Sequence, residues 1–224
     1  VSSFNTNGTA TKQLYYQSRG GRGTVEATAG QDNAACPLEY FYVVGNDIPA
    51  PDITTRLVSL YNGATPRLFT GIASKESTYR QFATQTKYEK SALWPLESYD
   101  GGSHVGLMQV ATSGATIRGD QGVRNAWDWL ENTAFAADLF REKGRIAASL
   151  ERRIRHNNRG LRALTNVESE NMALTLYGPG AQASLNGQYY RAFQSPDGSV
   201  DWIVNTANNP DGVAYANSVR QKMQ

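Results

Sequence analysis

From Pro51 onward, apolar residues recur at three- and four-residue steps, the period of helices that lay one face against a core. Ile53, Leu57, Leu60 and Tyr61 follow Pro51-Asp52 at that spacing. Thr65 and Pro66 predict the start of a second helix. Thr is a favoured cap, and Pro at the first helical position forfeits an N–H that has no partner there anyway. Leu68, Phe69, Ile72 and Ala73 form its greasy face. Trp127, Leu130, Ala134, Ala137 and Phe140 predict one long helix with a single apolar stripe. Thr165 and Glu168 have capping-box spacing ahead of Met172, Leu174 and Leu176. Asn209-Pro210-Asp211-Gly212 reads as a turn, after which Val213, Ala216, Val219 and Met223 repeat helically.

The first fifty residues differ. They are rich in Ser, Thr, Asn, Gln and Gly, carry an Arg/Gly run over 19–23, and hold one aromatic and β-branched run at 38–44 that reads as a strand or a buried packing segment. The pattern predicts a mainly α fold with a soft boundary at 46–51. An N-terminal extension or arm, irregular or short-stranded, covers 1–50. A helical domain with long loops at 84–104 and 178–210 covers 51–224. Loops on a rigid scaffold are where sites usually lie.

Composition narrows the chemistry. The 224 residues are 40% hydrophobic and 19% charged, enough for one sizeable core. No apolar stretch approaches the roughly 20 residues of a membrane span. The net charge of +2 is too weak to argue for nucleic acid. The Arg-rich segment 145–162 reads as a solvated helix face or as a patch for an anionic polymer, and it lacks the interleaved aromatics of a nucleic-acid module. The single Cys36, with His104 and His156, makes neither a disulfide nor a zinc spacing. Cys36 also precedes Pro37 beside the strand rather than opening a helix that would activate its thiol, so it reads as a small buried hydrophobe. Metal-free and cofactor-free acid–base chemistry is the expectation for an enzyme. Val1 opens the chain with no charged-then-apolar leader after it, which suggests a leader already removed or excision from a longer protein.

One acid stands out. Glu76 lies seven residues after Phe69, four after Ile72 and three after Ala73, on the greasy stripe of its helix. A desolvated carboxyl holds its proton to higher pH, as a general acid must. A structural glutamate bonded to backbone or to an Arg satisfies the same spacing.

Glu76 is followed by Ser77, then by a polar-aromatic loop, then by Gly106-Leu107-Met108-Gln109-Val110, and later by Tyr177-Gly178-Pro179-Gly180. This ordered set resembles the lysozyme-like superfamily of goose-type lysozymes and lytic transglycosylases. That family has a Glu-Ser at a helix end, a Gly-Leu-Met-Gln segment and a helix closing in Tyr-Asn-x-Gly. Gly178 stands where the family pattern has Asn. Tyr215-Ala216-Asn217-Ser218-Val219 also resembles the last goose-type helix.

The resemblance implies cleavage of the β-1,4 bond between N-acetylmuramic acid and N-acetylglucosamine in peptidoglycan, with Glu76 as acid and base. Asp100 matches the position of a water-orienting Asp, although Tyr99-Asp100-Gly101-Gly102 is equally a plain turn. Ala111 replaces a second such Asp. Ser77, Gln109 and Tyr177 are implied substrate-binding residues, with helix packing the competing role for Gln109 and Tyr177. The implied place of action is the periplasm or cell wall, and a phage lysis protein, a secreted antibacterial effector and a wall-remodelling enzyme all fit. An effector would call for a protective inhibitor protein in the cell that makes it. The competing class is a non-catalytic structural or glycan-binding piece of a larger phage or secretion assembly.

Overall fold

The computed structural model describes residues 21–25, 28–29, 34–35, 39–43, 45, 48–83, 94–98, 102–114, 117–178 and 188–223. The fold is mainly α. Its helices are α1 (Ala50–Leu60), α2 (Leu68–Ser77), α3 (Gln121–Trp127), α4 (Trp129–Asn157), α5 (Asn166–Tyr177) and α6 (Pro210–Gln221). The strands form two-stranded antiparallel sheets. Near the N-terminus, β1 (Gly21–Val25) pairs with β4 (Glu39–Val43), the strand expected at 38–44, and β2 (Thr28–Ala29) pairs with β3 (Ala34–Ala35). Within the helical part, β5 (Phe82–Ala83) pairs with β6 (Trp94–Pro95), β7 (His104–Val105) with β8 (Val110–Ala111), and β9 (Tyr190–Gln194) with β10 (Val200–Val204).

The predicted stripes meet in one core. Ile53 and Leu57 of α1, Leu68, Phe69 and Ile72 of α2, and Met172 and Leu174 of α5 are buried together with Phe140, Val213 and Val219. Each such side chain contributes roughly 1.5–3 kcal/mol by leaving water. Helix α6 lies hard against α2, since a Cβ at Gly71 would sit 2.6 Å from the Val219 carbonyl oxygen. A second, smaller cluster seats the β9–β10 hairpin on the end of α4. There Trp202 packs with Ile154 and Leu161, and its indole N–H donates to the Arg162 carbonyl at 2.9 Å. That hairpin occupies much of what the sequence read as a loop at 178–210.

Three local expectations meet different outcomes. The capping box forms in full: the Glu168 N–H donates to Thr165 Oγ1 at 3.3 Å, and the Thr165 N–H to Glu168 Oε2 at 2.7 Å. The long helix forms as α4 with Leu130, Ala134, Ala137 and Phe140, but Trp127 ends a separate α3, stopped by the extended backbone of Asp128, whose carboxylate caps α4 by accepting from the Leu130 N–H at 2.9 Å. The second helix starts at Leu68 rather than Pro66, since the Thr65 hydroxyl oxygen, which a cap would offer to helix N–H groups, accepts from Arg220 at 2.7 Å. The Thr65 N–H and hydroxyl donate to the two carboxylate oxygens of Glu170, at 3.0 and 2.5 Å.

Glu170 is the hub of a buried polar cluster. Tyr61 donates to Oε1 and Arg220 to Oε2, and the Arg220 guanidinium also reaches the Thr65 hydroxyl and the Asn171 side-chain oxygen. Burial alone would push the Glu170 carboxyl up, but the bonds from Thr65, Tyr61 and Arg220 together hold it below its ordinary value. The Arg162 fork holds Glu168 down to about 2, against an ordinary 4.5. Both carboxylates are favoured in the folded state. The stability they add is therefore complete above the unfolded pKa and is lost as pH falls through the folded values. Between pH 4.5 and 2, Glu168→Gln and Glu170→Gln are expected to flatten the fall of melting temperature with acid, a change that scanning calorimetry at stepped pH would register.

Candidate active site

Glu76 is the penultimate residue of α2 and lies in register with the buried Ile72 and Ala73, so helical geometry carries its carboxyl toward the interior. The carboxyl receives a short hydrogen bond from the Tyr215 hydroxyl of α6. Burial raises the Glu76 pKa above 4.5, against the Tyr215 bond and the charges of Lys75 and His104, each of which favours the carboxylate. Tyr177, the last residue of α5, donates its phenol to the Met108 carbonyl at 3.0 Å. Burial first, and the Glu76 charge second, push the Tyr177 and Tyr215 phenols far up, so both remain donors at neutral pH.

The Gly-Leu-Met-Gln segment is the turn joining β7 to β8. Gly106 takes a φ of +76°, and a side chain there would strike the amides of Gln81 and Asn132, both 2.5 Å from its Cβ position. Only glycine meets both demands. Those two buried amides carry the turn. Gln81 Oε1 accepts from the Leu107 N–H at 2.9 Å while its nitrogen donates to the Asn125 and Ala126 carbonyls. Asn132 Oδ1 accepts from the Met108 N–H, and its nitrogen donates to the Val105 and Asn125 carbonyls, all at 2.9 Å.

The structure therefore brings Glu76, Ser77, Gln109 and Tyr177 to one region. Ser77 is buried, with its hydroxyl 2.8 Å from the Leu107 carbonyl and 3.1 Å from that of Ala73, so it stitches α2 to the turn. The Gln109 side-chain nitrogen donates to the Gly106 carbonyl at 2.9 Å and the Leu96 carbonyl at 3.3 Å, which sets the plane of its amide. Asp100 lies outside the described residues, as do Cys36 and Pro179-Gly180.

The non-glycine residues with positive φ among those described are Thr78, Tyr79 and Gln109, at +55°, +61° and +45°. All three border this region. A left-handed backbone costs about 1–2 kcal/mol per residue, and such conformations gather at active sites and clamps.

Spacing along the chain does not mark Tyr215, Gln81 or Asn132 as parts of this region, and it brings in His104 only as a zinc ligand without the spacing for one. Asn132 did leave a trace, because it sits four residues before Ala136 and eight before Phe140, in the register of the buried stripe. Gln81 left none. A separate recess of about 500 Å³ opens near the other end of α5, lined by Tyr61, Asn62, Phe140, Gly144 and Ser169 among others, with Glu170 in its wall.

Chemically, the region offers one carboxyl biased toward its protonated form, one phenol bonded to it, a second phenol within its field, and a backbone turn held rigid by buried amides. Comparison with protein-family models, with curated proteins and with solved structures finds no match for this chain.

Proposed function

We propose that this chain cleaves peptidoglycan glycan strands at the β-1,4 bond between N-acetylmuramic acid and N-acetylglucosamine, with Glu76 as acid and then base. One observation carries the reading: a largely desolvated carboxyl at the end of α2, hydrogen-bonded by Tyr215, where α5, α6 and the Gly-Leu-Met-Gln turn converge. Burial favours the neutral acid, which must give a proton to the leaving glycosidic oxygen as the C1–O bond breaks. Tyr215, Lys75 and His104 favour the carboxylate that remains. A single group biased in both directions suits a cycle in which it gives and then retakes a proton.

The retaken proton distinguishes two chemistries. In lytic transglycosylation the muramic acid C6 hydroxyl attacks C1 and passes its proton to Glu76, leaving a 1,6-anhydro end. In hydrolysis water attacks, and a second carboxylate orients it across the sugar; Asp100 is the candidate. Substrate of this kind places the reaction in the periplasm or cell wall, and a protein inhibitor is the natural partner if the chain serves as an antibacterial effector.

Mass spectrometry of fragments released from purified sacculi tests the proposal. Anhydromuramic ends, one water lighter than reducing ends, mark transglycosylation. Reducing muramic ends mark hydrolysis, and their loss in Asp100→Asn would assign the water to that residue. Sacculi left uncut by the folded protein would overturn the reading.

A further inference from the structure

Gly178 departs from the resembled motif, and the structure gives the departure a physical cause. Its φ of −77° and ψ of 179° are open to any residue, so glycine is not there for its backbone freedom. Space is what it supplies. A Cβ at 178 would lie 2.4 Å from Cδ1, 2.5 Å from Cγ and 2.7 Å from Cε1 of Tyr215. Those atoms include the root of the ring, which is fixed by its helix, and not merely a mobile tip. Helix α6 is closely packed against both neighbours: a Cβ at Gly212 would meet Thr175 Cγ2 of α5 at 2.5 Å, and one at Gly71 of α2 would meet the Val219 carbonyl oxygen at 2.6 Å. The ring so lodged is the one whose hydroxyl donates to Glu76.

We propose that Gly178 is a positioning residue: the missing side chain at the end of α5 forms the slot that seats the Tyr215 ring, and this seating holds the phenol on the Glu76 carboxyl. A side-chain amide at 178 and a phenol on Glu76 are thus alternatives in this chain, and it has taken the phenol. The inference rests on Glu76 being the acid of the proposed reaction, but its physical content can be read without any glycan.

Among the described residues, the titratable groups that face Glu76 are Lys75 from its own helix, His104 from β7, Tyr177 from α5 and Tyr215 from α6. Displacing the Tyr215 ring removes one hydrogen bond that favours the carboxylate and leaves the other charges in place. With the burial of the carboxyl kept, the Glu76 pKa then rises.

The test is a titration of the Glu76 side-chain carbon by 13C NMR, assigned by its loss in Glu76→Gln. Gly178→Ala is expected to move the midpoint upward by about one pH unit, in the same direction as Tyr215→Phe. In a Tyr215→Ala background, where the slot is vacant, Gly178→Ala should move neither the midpoint nor the melting temperature, the signature of two coupled positions. If Gly178→Ala alone does not fold, recovery of folding by adding Tyr215→Ala reads the same coupling. A parent-like midpoint in Gly178→Ala, or an effect that persists undiminished without the Tyr215 ring, would overturn the inference. Because no substrate is present, coupling without glycan cleavage would sink the proposed function and leave this result standing.

Discussion

Glu76→Gln is expected to fold as the parent does, to lose glycan cleavage by about 10²–10⁴-fold, and to melt at a higher temperature at neutral pH. The loss follows because an amide has the carboxyl's shape but no proton to donate. The gain in stability follows from linkage. Burial raises the Glu76 pKa above its ordinary 4.5, so the unfolded chain releases that proton at lower pH than the folded one. As pH climbs past the ordinary value, ionisation favours the unfolded state, and the penalty persists at pH 7. A neutral amide escapes it. Residues kept for chemistry commonly carry such a cost, and removing them commonly stabilises. Release of soluble muropeptides and calorimetry at pH 7 read the two halves separately. Parent-like cleavage would exclude Glu76 as the acid, whereas a lowered melting temperature would show that the carboxyl serves the fold.

Asn132→Leu should lower the stability of the chain by about 2–4 kcal/mol and cripple cleavage with it. The replacement is close in size, but it strands the Met108 N–H and takes one donor from each of the Val105 and Asn125 carbonyls, the latter keeping Gln81. A buried polar group left unpaired costs about 1–3 kcal/mol. The damage is directed, because two of those three groups belong to the hairpin that presents Gln109. Gln81→Leu strands the Leu107 N–H in the same way and should behave alike. Ser149→Ala, on the exposed side of the same long helix, is the matched control and should change stability by less than about 0.5 kcal/mol. Urea unfolding of the three variants decides the matter. A loss under about 1 kcal/mol for Asn132→Leu would mean that the turn holds its shape by other means.

Parts of this molecule were legible because they are written within one or two turns of chain. The capping box at Thr165 and Glu168 is a pair three residues apart, and it forms as read. The stripes through Ile53, Phe69, Met172 and Val219 face the core because a 3.6-residue period dictates which side of a helix is greasy. Glu76 was visible for the same reason, as an acid in an apolar register.

Other features came from competition that no local window contains. Thr65 has every local credential of a cap, yet Arg220, 155 residues away, donates to its hydroxyl oxygen, and the helix begins two residues late. Asp128 sits inside an unbroken apolar period, but its carboxylate caps α4 at the Leu130 N–H and leaves Trp127 on a separate helix.

What the sequence determined by itself is the mainly helical class, the greasy faces and the placing of Glu76 among them, since each depends on spacing along a single element. The tertiary structure alone decided what that acid meets. Tyr215 reaches it across 139 residues, through close helix contacts that Gly71 and Gly178 leave room for. Spacing says which side of a helix is buried, whereas the partner found there depends on how closely two backbones can approach, and that is settled only when every helix is in place.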